Sequence, residues 1–187
     1  MRIQIRDIRK TDGSDPDFLM LCQKLDSFLD EAAGGAENRA DYIPHNGTED
    51  IHNVLIAYHG GIPIGCASFK VLSSDTAEVK RVFLRPGVRG KGIGETLMRG
   101  LEHWAADTGV RRLVLETGDI LTAATALYRR LGYEVIPNYG PYVDLPASLC
   151  MGKVIGGQTA NLNTTSPPDS PLCVPLGNEL RNIKTRP

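Results

Sequence analysis

The sequence predicts an α+β fold in which a central, mixed but mainly antiparallel sheet is flanked by helices. Three observations predict it. Apolar residues alternate or form short β-rich runs in seven segments, and they recur at three- and four-residue steps in three others. The two kinds of segment follow one another in the order β-α-β-β-β-α-β-α-β-β, which is typical of a sheet with helices packed on it.

In the first half, short apolar alternations predict strands, and an amphipathic stripe from Phe18 to Leu29 predicts a helix. A Gly60-Gly61 pair between two β-rich runs predicts a hairpin. The predicted elements are a strand with Ile3, Ile5 and Ile8, a helix beginning near Ser14 to Pro16, a loop with a short helical piece over Gly34–Asp50, strands at Val54–Tyr58 and Ile64–Phe69, and a strand at Ala77–Leu84.

In the second half, a helical stripe from Ile93 to Ala105 ends at Gly109, and a continuous apolar run predicts a buried strand. Thr122 is the expected cap of a further helix that Gly132 closes. The remaining elements are a strand at Arg111–Glu116, the helix from Thr122 to Leu131, strands at Tyr133–Ile136 and Leu149–Ile155, and a loop over Pro137–Ser148.

Bulk composition narrows the class of protein. The 187 residues suit one domain with a substantial core, and 41% hydrophobic with 23% charged residues is ordinary for a globular protein. A formal net charge of −1 predicts neither a nucleic-acid partner nor attraction to an anionic membrane. Apolar runs are too short to span a bilayer and no signal-peptide core is evident, so we expect a cytoplasmic protein.

The composition changes after residue 155. Prolines, serines, threonines and asparagines leave too little apolar surface to offset the entropy of ordering. We therefore expect a folded domain over 1–155 and a disordered tail over 156–187.

Cysteines and histidines give no metal signature. Cys22 and Cys66 are expected to be buried free thiols, because the four cysteines are too scattered for zinc or redox spacing. His45, His52 and His59 fall seven apart, but a proline and an Asn-Gly turn separate them and no ligand cluster completes a shell. No metal is expected.

The segment Arg89–Gly94 lies between a predicted strand and a predicted helix and contains three glycines at alternate positions. Such a backbone can approach a ligand closely, and the following helix directs its positive dipole end at the same place. Phosphate is the anion that best suits it. The spacing matches neither a P-loop nor a dinucleotide fingerprint.

The pattern that fits is Arg/Gln-x-x-Gly-x-Gly/Ala, filled by Arg89, Gly92 and Gly94. It resembles the acetyl-CoA pyrophosphate loop of the GNAT superfamily of N-acetyltransferases. The strand Ala77–Leu84 before it and the segment Thr125–Tyr133 after it are similar to the same family, so the resemblance covers about residues 1–155. The segments Leu115–Gly118, Asn138–Tyr142 and Ser148–Lys153 resemble a small bacterial-type subgroup of unsettled substrate.

The resemblance implies a GNAT fold and acetyl-CoA as co-substrate. Residues Arg89, Gly90, Lys91, Gly92, Ile93 and Gly94 would hold the pyrophosphate. Backbone groups of Val82, Phe83 and Leu84, on a strand that splays from its neighbour in this family, would bind the pantetheine arm and the acetyl carbonyl.

Two side chains are implied as catalytic. Glu78 would act as general base, with Glu116 or water alone as alternatives, although Glu78 could instead pair with Lys80 or Arg81 on the sheet. Tyr128 would protonate the departing thiolate, although its ring could simply pack in the core. Cys150 lacks a histidine base, which favours direct transfer over an acyl-enzyme.

The function implied is transfer of the acetyl group to a primary amine of a small molecule in a ternary complex. A protein or peptide amine as acceptor, or a non-catalytic acyl-CoA-binding regulatory domain, are the alternatives. The loops Gly34–Asp50 and Pro137–Ser148 would select the acceptor. Dimerisation is frequent in the family, so a homodimer stays open.

Overall fold

A computed structural model of the protein describes residues 7–156. The predicted strand positions Ile3 and Ile5 and the predicted tail after Gly156 lie outside that range. The strands are β1 (Asp7–Thr11), β2 (Asn53–His59), β3 (Ile62–Val71), β4 (Thr76–Leu84), β5 (Arg112–Gly118), β6 (Glu134–Val135) and β7 (Ser148–Val154); the helices are α1 (Pro16–Ala32), α2 (Ile93–Asp107) and α3 (Thr122–Arg130).

The seven strands form one sheet in the order β1-β2-β3-β4-β5-β7-β6. Strand β4 pairs with β5 in parallel, and every other neighbouring pair is antiparallel. This arrangement confirms the predicted α+β class and the predicted order of elements.

Alternation along the strands gives the sheet an apolar layer on each face. In β2, Leu55 and Ala57 join the core beneath α2 and α3, whereas Val54, Ile56 and Tyr58 join the core beneath α1. The helices are amphipathic and bury one side against these layers. The sheet is therefore the middle of three layers.

The helix boundaries follow from capping. Asp15 caps α1, since its carboxylate accepts hydrogen bonds from the N–H groups of Asp17 and Phe18, and Pro16 occupies the first position. The prediction that Thr122 caps α3 was wrong. The cap residue is Leu121, without a side-chain hydrogen bond, and Thr122 already lies inside the helix.

The loop predictions are confirmed. Two short 3-10 turns, Ala36–Arg39 and Ile43–His45, interrupt the segment between α1 and β2. A third, Gly140–Tyr142, lies between β6 and β7. Cys22 and Cys66 are buried free thiols, as expected.

A β-bulge interrupts β4. Cys66 pairs with Phe83 but Ser68 pairs with Lys80, so two β4 residues, Arg81 and Val82, oppose one residue of β3. Arg81 has φ +55°, the only positive φ of a non-glycine residue between 7 and 156. A bulge reverses which side chains face which side. Consequently Phe83 joins the α1-side core, although Ala77 and Val79 join the other one.

Among the helices of residues 7–156, none combines the length and the apolar character that crossing a membrane requires.

Candidate active site

The sheet opens between β4 and β5. Their parallel pairing runs from Thr76–Arg112 to Val79–Leu115 and stops there. Beyond it, β5 continues to pair with β7 as far as Gly118, and β4 continues to pair with β3 as far as Leu84. We call the space between residues 80–84 and 116–118 the β4–β5 opening. Backbone groups on the facing edge of β4 have no strand partner there, and this stretch contains Val82, Phe83 and Leu84.

The glycine loop, residues 89–94, lies at the end of this opening because it joins β4 to α2. Gly90 and Gly92 have φ of +72° and +85°, and a Cβ atom on either would have no atom within 4 Å. The Cβ positions of both glycines therefore border open space. Gly94 differs, since a Cβ there would lie 3.1 Å from Leu127 and 3.3 Å from Leu84.

The N–H groups of residues 90–95 have no hydrogen-bond partner within the described part of the chain, whereas Thr96 N–H bonds to Gly92 O. Free N–H groups at the positive end of a helix form an anion-binding site. With the glycines leaving room in front, the loop suits a pyrophosphate.

The two cationic side chains of the loop, Arg89 and Lys91, form hydrogen bonds that stabilise its backbone. Arg89 Nε donates to Leu84 O at 3.0 Å, and its guanidinium lies 4.4 Å from the centre of the Phe28 ring. Lys91 Nζ donates to Gly87 O at 2.9 Å. These hydrogen bonds fix the backbone of the loop, and they place the two cationic side chains next to it.

Glu78 is buried beside the opening on the α1 face. Its Oε1 accepts a hydrogen bond from the Tyr139 hydroxyl at 3.0 Å, and its Oε2 lies 3.4 Å from Lys80 Nζ. Lys80 also donates to the Tyr142 hydroxyl at 3.2 Å. The sequence left open whether Glu78 is catalytic or pairs with a neighbouring cation, and the ion pair with Lys80 is present in the structure. Arg81 instead pairs with Asp26 on α1.

Glu116 lies at the first position of β5 beyond the pairing with β4. Its Oε1 accepts a hydrogen bond from Ser148 Oγ at 2.9 Å. No cationic side chain of residues 7–156 forms an ion pair with it. Burial raises the pKa of Glu116, and the charge of Glu78 adds to that effect, against opposing contributions from Ser148 and Lys80.

Tyr128 lies on the opposite face. Its ring packs edge-on against Tyr133, 5.9 Å between centres, within the core beneath α2 and α3. Its hydroxyl has no hydrogen-bond partner in the described residues. Burial, with a contribution from the charge of Glu116, raises the pKa of Tyr128 and keeps the phenol protonated. Tyr128 and Glu116 are therefore neighbours across the sheet.

Cys150 is fully buried directly opposite Glu116 on β7. Burial raises the pKa of its thiol, which is the reverse of what a nucleophile needs. No cluster of three or more possible metal ligands occurs between residues 7 and 156.

The structure adds four residues that sequence reasoning did not assign to the site. Tyr139 and Tyr142 come from the loop before β7, and Ser148 is the first residue of β7. Tyr42 comes from the loop before β2, and its hydroxyl lies 3.4 Å from Ser148 Oγ. The sequence did indicate that these two loops would line the acceptor side. It could not indicate which of their side chains turn inward.

Residues 21–133 match the model of the acetyltransferase (GNAT) family. This is more than half of the 187 residues. The chain belongs to the GNAT family.

Individual proteins to which the chain is similar support the same family. The chain is 32% identical over 136 residues to the IAA acetyltransferase of Azospirillum brasilense, covering 72% of this chain and 88% of the relative. A solved Klebsiella pneumoniae structure described as a candidate acyl-CoA N-acyltransferase is 29% identical, with a TM-score of 0.66 over 80% of this chain and 97% of that one.

The PaiA N-acetyltransferase of Thermoplasma acidophilum, solved with coenzyme A, shares the fold with a TM-score of 0.60 at 20% identity over 81% of this chain and 99% of that one. The family and these relatives identify this GNAT protein as an acetyl-CoA-dependent N-acetyltransferase.

Proposed function

We propose that this GNAT protein transfers the acetyl group of acetyl-CoA directly to the primary amine of a small molecule. The observation that carries the proposal is the β4–β5 opening. It leads from the unpaired N–H groups of the glycine loop to a half-buried carboxylate, Glu116, and a protonated phenol, Tyr128. Acetyl-CoA supplies the activated acyl group as a thioester.

The glycine loop is proposed to receive the pyrophosphate through the N–H groups of residues 90–95. The unpaired edge of β4 at Val82, Phe83 and Leu84 offers backbone groups for an extended polar arm and for the acetyl carbonyl oxygen. Main-chain donors held rigidly in a sheet suit that task because they need no reorganisation during the reaction.

Glu116 is the stronger candidate base. A simple alkylamine has a pKa of ~10.4 and arrives as ammonium, so a proton must be removed first. A carboxylate whose pKa burial has raised is a better proton acceptor than an ordinary one. Glu78, by contrast, is already bound by Lys80 and Tyr139. Glu78 stays a prediction, which the two Glu→Gln variants can separate from Glu116.

The proton balance needs both groups. The ammonium loses one proton to Glu116, which passes it to solvent, and the nitrogen then bonds to the acetyl carbon as the carbon–sulfur bond breaks. Tyr128 donates a proton to the leaving sulfur. The second proton of the nitrogen leaves through Glu116 and restores the phenol, so the net products are an amide, a thiol and one proton.

Thiol release from acetyl-CoA across a panel of primary amines, run beside calorimetry with coenzyme A, tests the proposal. Coenzyme A binding together with amine-dependent thiol release supports it. Binding without release on any small amine would instead favour a regulatory domain, and release only with peptides would favour a protein or peptide acceptor.

A further inference from the structure

The side chains around Glu116 bear on which amines the protein accepts, and this inference rests on the function proposed above. On the acceptor side of the β4–β5 opening, Glu78 is buried and forms an ion pair with Lys80. Glu116 is half-buried and forms no ion pair with any described residue, although the charges of Lys80 and Arg39 reach it, and Arg39 is itself paired with Asp26 and Asp30. A partly buried carboxylate without an ion-pair partner favours a ligand that brings a positive charge.

The walls of this space are aromatic. Tyr139 and Tyr142 pack edge to face with ring centres 5.5 Å apart, and His45 packs against Tyr142 at 5.9 Å. The hydroxyl of Tyr139 is bonded to Glu78 and that of Tyr142 to Lys80. The Tyr139 hydroxyl donates its proton to Glu78, so the half-buried Tyr139 offers an acceptor mainly its ring, and the buried Tyr142 packs against that ring. Rings suit an apolar or aromatic body and also attract an organic cation.

The site is also preformed. Asn138 Nδ2 lies within hydrogen-bond distance of three carbonyl oxygens of its own loop, those of Tyr142, Leu145 and Ser148, at 3.1, 3.3 and 3.4 Å. Ser148 Oγ donates to Glu116 Oε1 at 2.9 Å and lies 3.4 Å from the Tyr42 hydroxyl. The carboxylate of Glu116 is thereby held by the first residue of β7, which in turn contacts the loop before β2.

We propose that the acceptor is a compact primary amine with a single positive charge, an apolar or aromatic body and no carboxylate. Its ammonium group binds Glu116, and its body packs against the ring of Tyr139, which Tyr142 supports from the other side of the ring pair. An α-amino acid is disfavoured, since its carboxylate would lie beside the carboxylates of Glu78 and Glu116. Like charges placed together at a site discriminate strongly against the wrong ligand.

Matched pairs of acceptors test this. Phenethylamine is compared with phenylalanine, and isopentylamine with leucine, each pair differing only in a carboxylate. We expect kcat/KM to be at least about tenfold higher for the amine of each pair, a difference that corresponds to ~1.4 kcal/mol. Equal or better acetylation of the amino acids would overturn the acceptor proposal while leaving the acetyltransferase function in place.

A binding measurement keeps the test independent of turnover. Calorimetric titration of phenethylamine and of phenylalanine into the full chain with coenzyme A present should show tighter binding of the amine, and equal or reversed affinities would contradict the proposal. If no amine releases thiol, the function proposed above fails, and this titration still decides the binding preference.

Variants of Tyr139 locate the body of the acceptor. Tyr139→Ala should reduce kcat/KM for phenethylamine by about tenfold more than for propylamine, because only the larger body uses the ring. Tyr139→Phe keeps the ring and should retain the preference. Equal losses for both amines in Tyr139→Ala would show that the ring does not contact the acceptor.

Discussion

At the scale of single residues, Glu116 and Glu78 show how two carboxylates on one face of a sheet come to differ. Glu78 lies where β4 and β5 still pair and has a cation and a phenol as partners. Glu116 lies just past the end of the pairing, and among the described side chains Ser148 donates to it. Burial raises the pKa of Glu116 against the opposing charges of Lys80 and Arg39, which favours Glu116 as the proposed base.

Glu116→Gln should lower kcat/KM by at least about 100-fold, since it removes the proton acceptor. In the wild-type protein the rate should fall as the pH drops through the raised pKa of Glu116, where the carboxylate becomes protonated. Steady-state kinetics across pH measure both effects. Glu78→Gln is the control, and a larger loss in that variant would transfer the role of base to Glu78.

Ionised Glu116 should also destabilise the folded protein at neutral pH. A raised pKa in the folded state means that the unfolded chain loses its proton first, so stability declines as the pH rises through the raised pKa. Glu116→Gln should therefore increase the free energy of unfolding at neutral pH, and the gain should disappear in acid, where the carboxyl is protonated in both the folded and the unfolded state. Urea unfolding at both pH values checks this, and an unchanged midpoint at neutral pH would show that Glu116 is not strained by burial.

Tyr128→Phe should lower kcat by ~100-fold while leaving the affinity for coenzyme A nearly unchanged, since only a proton donor is lost and the ring still packs against Tyr133. Turnover measurements and calorimetry separate the two effects. Tyr133→Phe is the matched control on the same pair of rings. Full activity of Tyr128→Phe would leave Tyr128 as a core residue.

At the scale of elements, the junction of β4, the glycine loop and α2 is one unit. Gly90 and Gly92 adopt positive φ with open space at their Cβ positions, and the N–H groups of residues 90–95, at the positive end of α2, have no partner among the described residues. Gly94 serves another purpose, because its missing side chain allows α2 to lie against Leu127 of α3. The motif therefore combines binding positions with a packing position.

Gly92→Asp should weaken coenzyme A binding by at least about tenfold, because it places a negative charge where the pyrophosphate is proposed to bind and strains a left-handed residue. Gly61→Asp carries equivalent strain, at φ +76° in the β2–β3 turn with no atom near a Cβ, and controls for it. Calorimetry of both variants gives the comparison. Similar affinity in the two variants would mean that the loop does not bind the phosphates.

At the scale of the whole molecule, the sheet separates two cores that are linked across the active-site strand. Arg81, the residue at the β4 bulge, forms two hydrogen bonds to Asp26 of α1, at 2.8 and 2.7 Å. Only 6% of the Arg81 side chain is exposed, against 40% for Asp26. The Arg81–Asp26 pair therefore holds α1 against the bulge. Just before the opening, the bulge changes the face of the sheet on which the β4 side chains lie.

Asp26→Ala should destabilise the protein by about 3 kcal/mol, because it leaves the buried guanidinium of Arg81 without an acceptor. Arg81→Ala should cost less, since Asp26 can be solvated. Chemical denaturation of both variants measures the two losses. A greater loss for Arg81→Ala would show that packing of the arginine, rather than its charge, stabilises the bulge.

Much of the fold could be predicted because local patterns agree with tertiary structure. The β-rich runs of β2 and β3, the stripe of α2 and the paired glycines of the first hairpin each correspond to observed elements. The cap of α3 could not be read from Thr122, since a threonine before a helix can lie inside it. The positions of Glu78 and Tyr128 near the opening were expected from family resemblance, and their catalytic roles stay predictions.

The sequence by itself determined the order of the elements, the two-sided burial of the sheet and the glycine loop, because these depend on neighbours within a few residues along the chain. The tertiary structure alone decided where β4 and β5 separate. It also decided which carboxylate forms no ion pair within residues 7–156 and which tyrosines lie on the acceptor side. Those properties depend on contacts between segments far apart in sequence, such as Glu78 with Tyr139 and Glu116 with Ser148. Charge and burial at such contacts have no signature in local spacing.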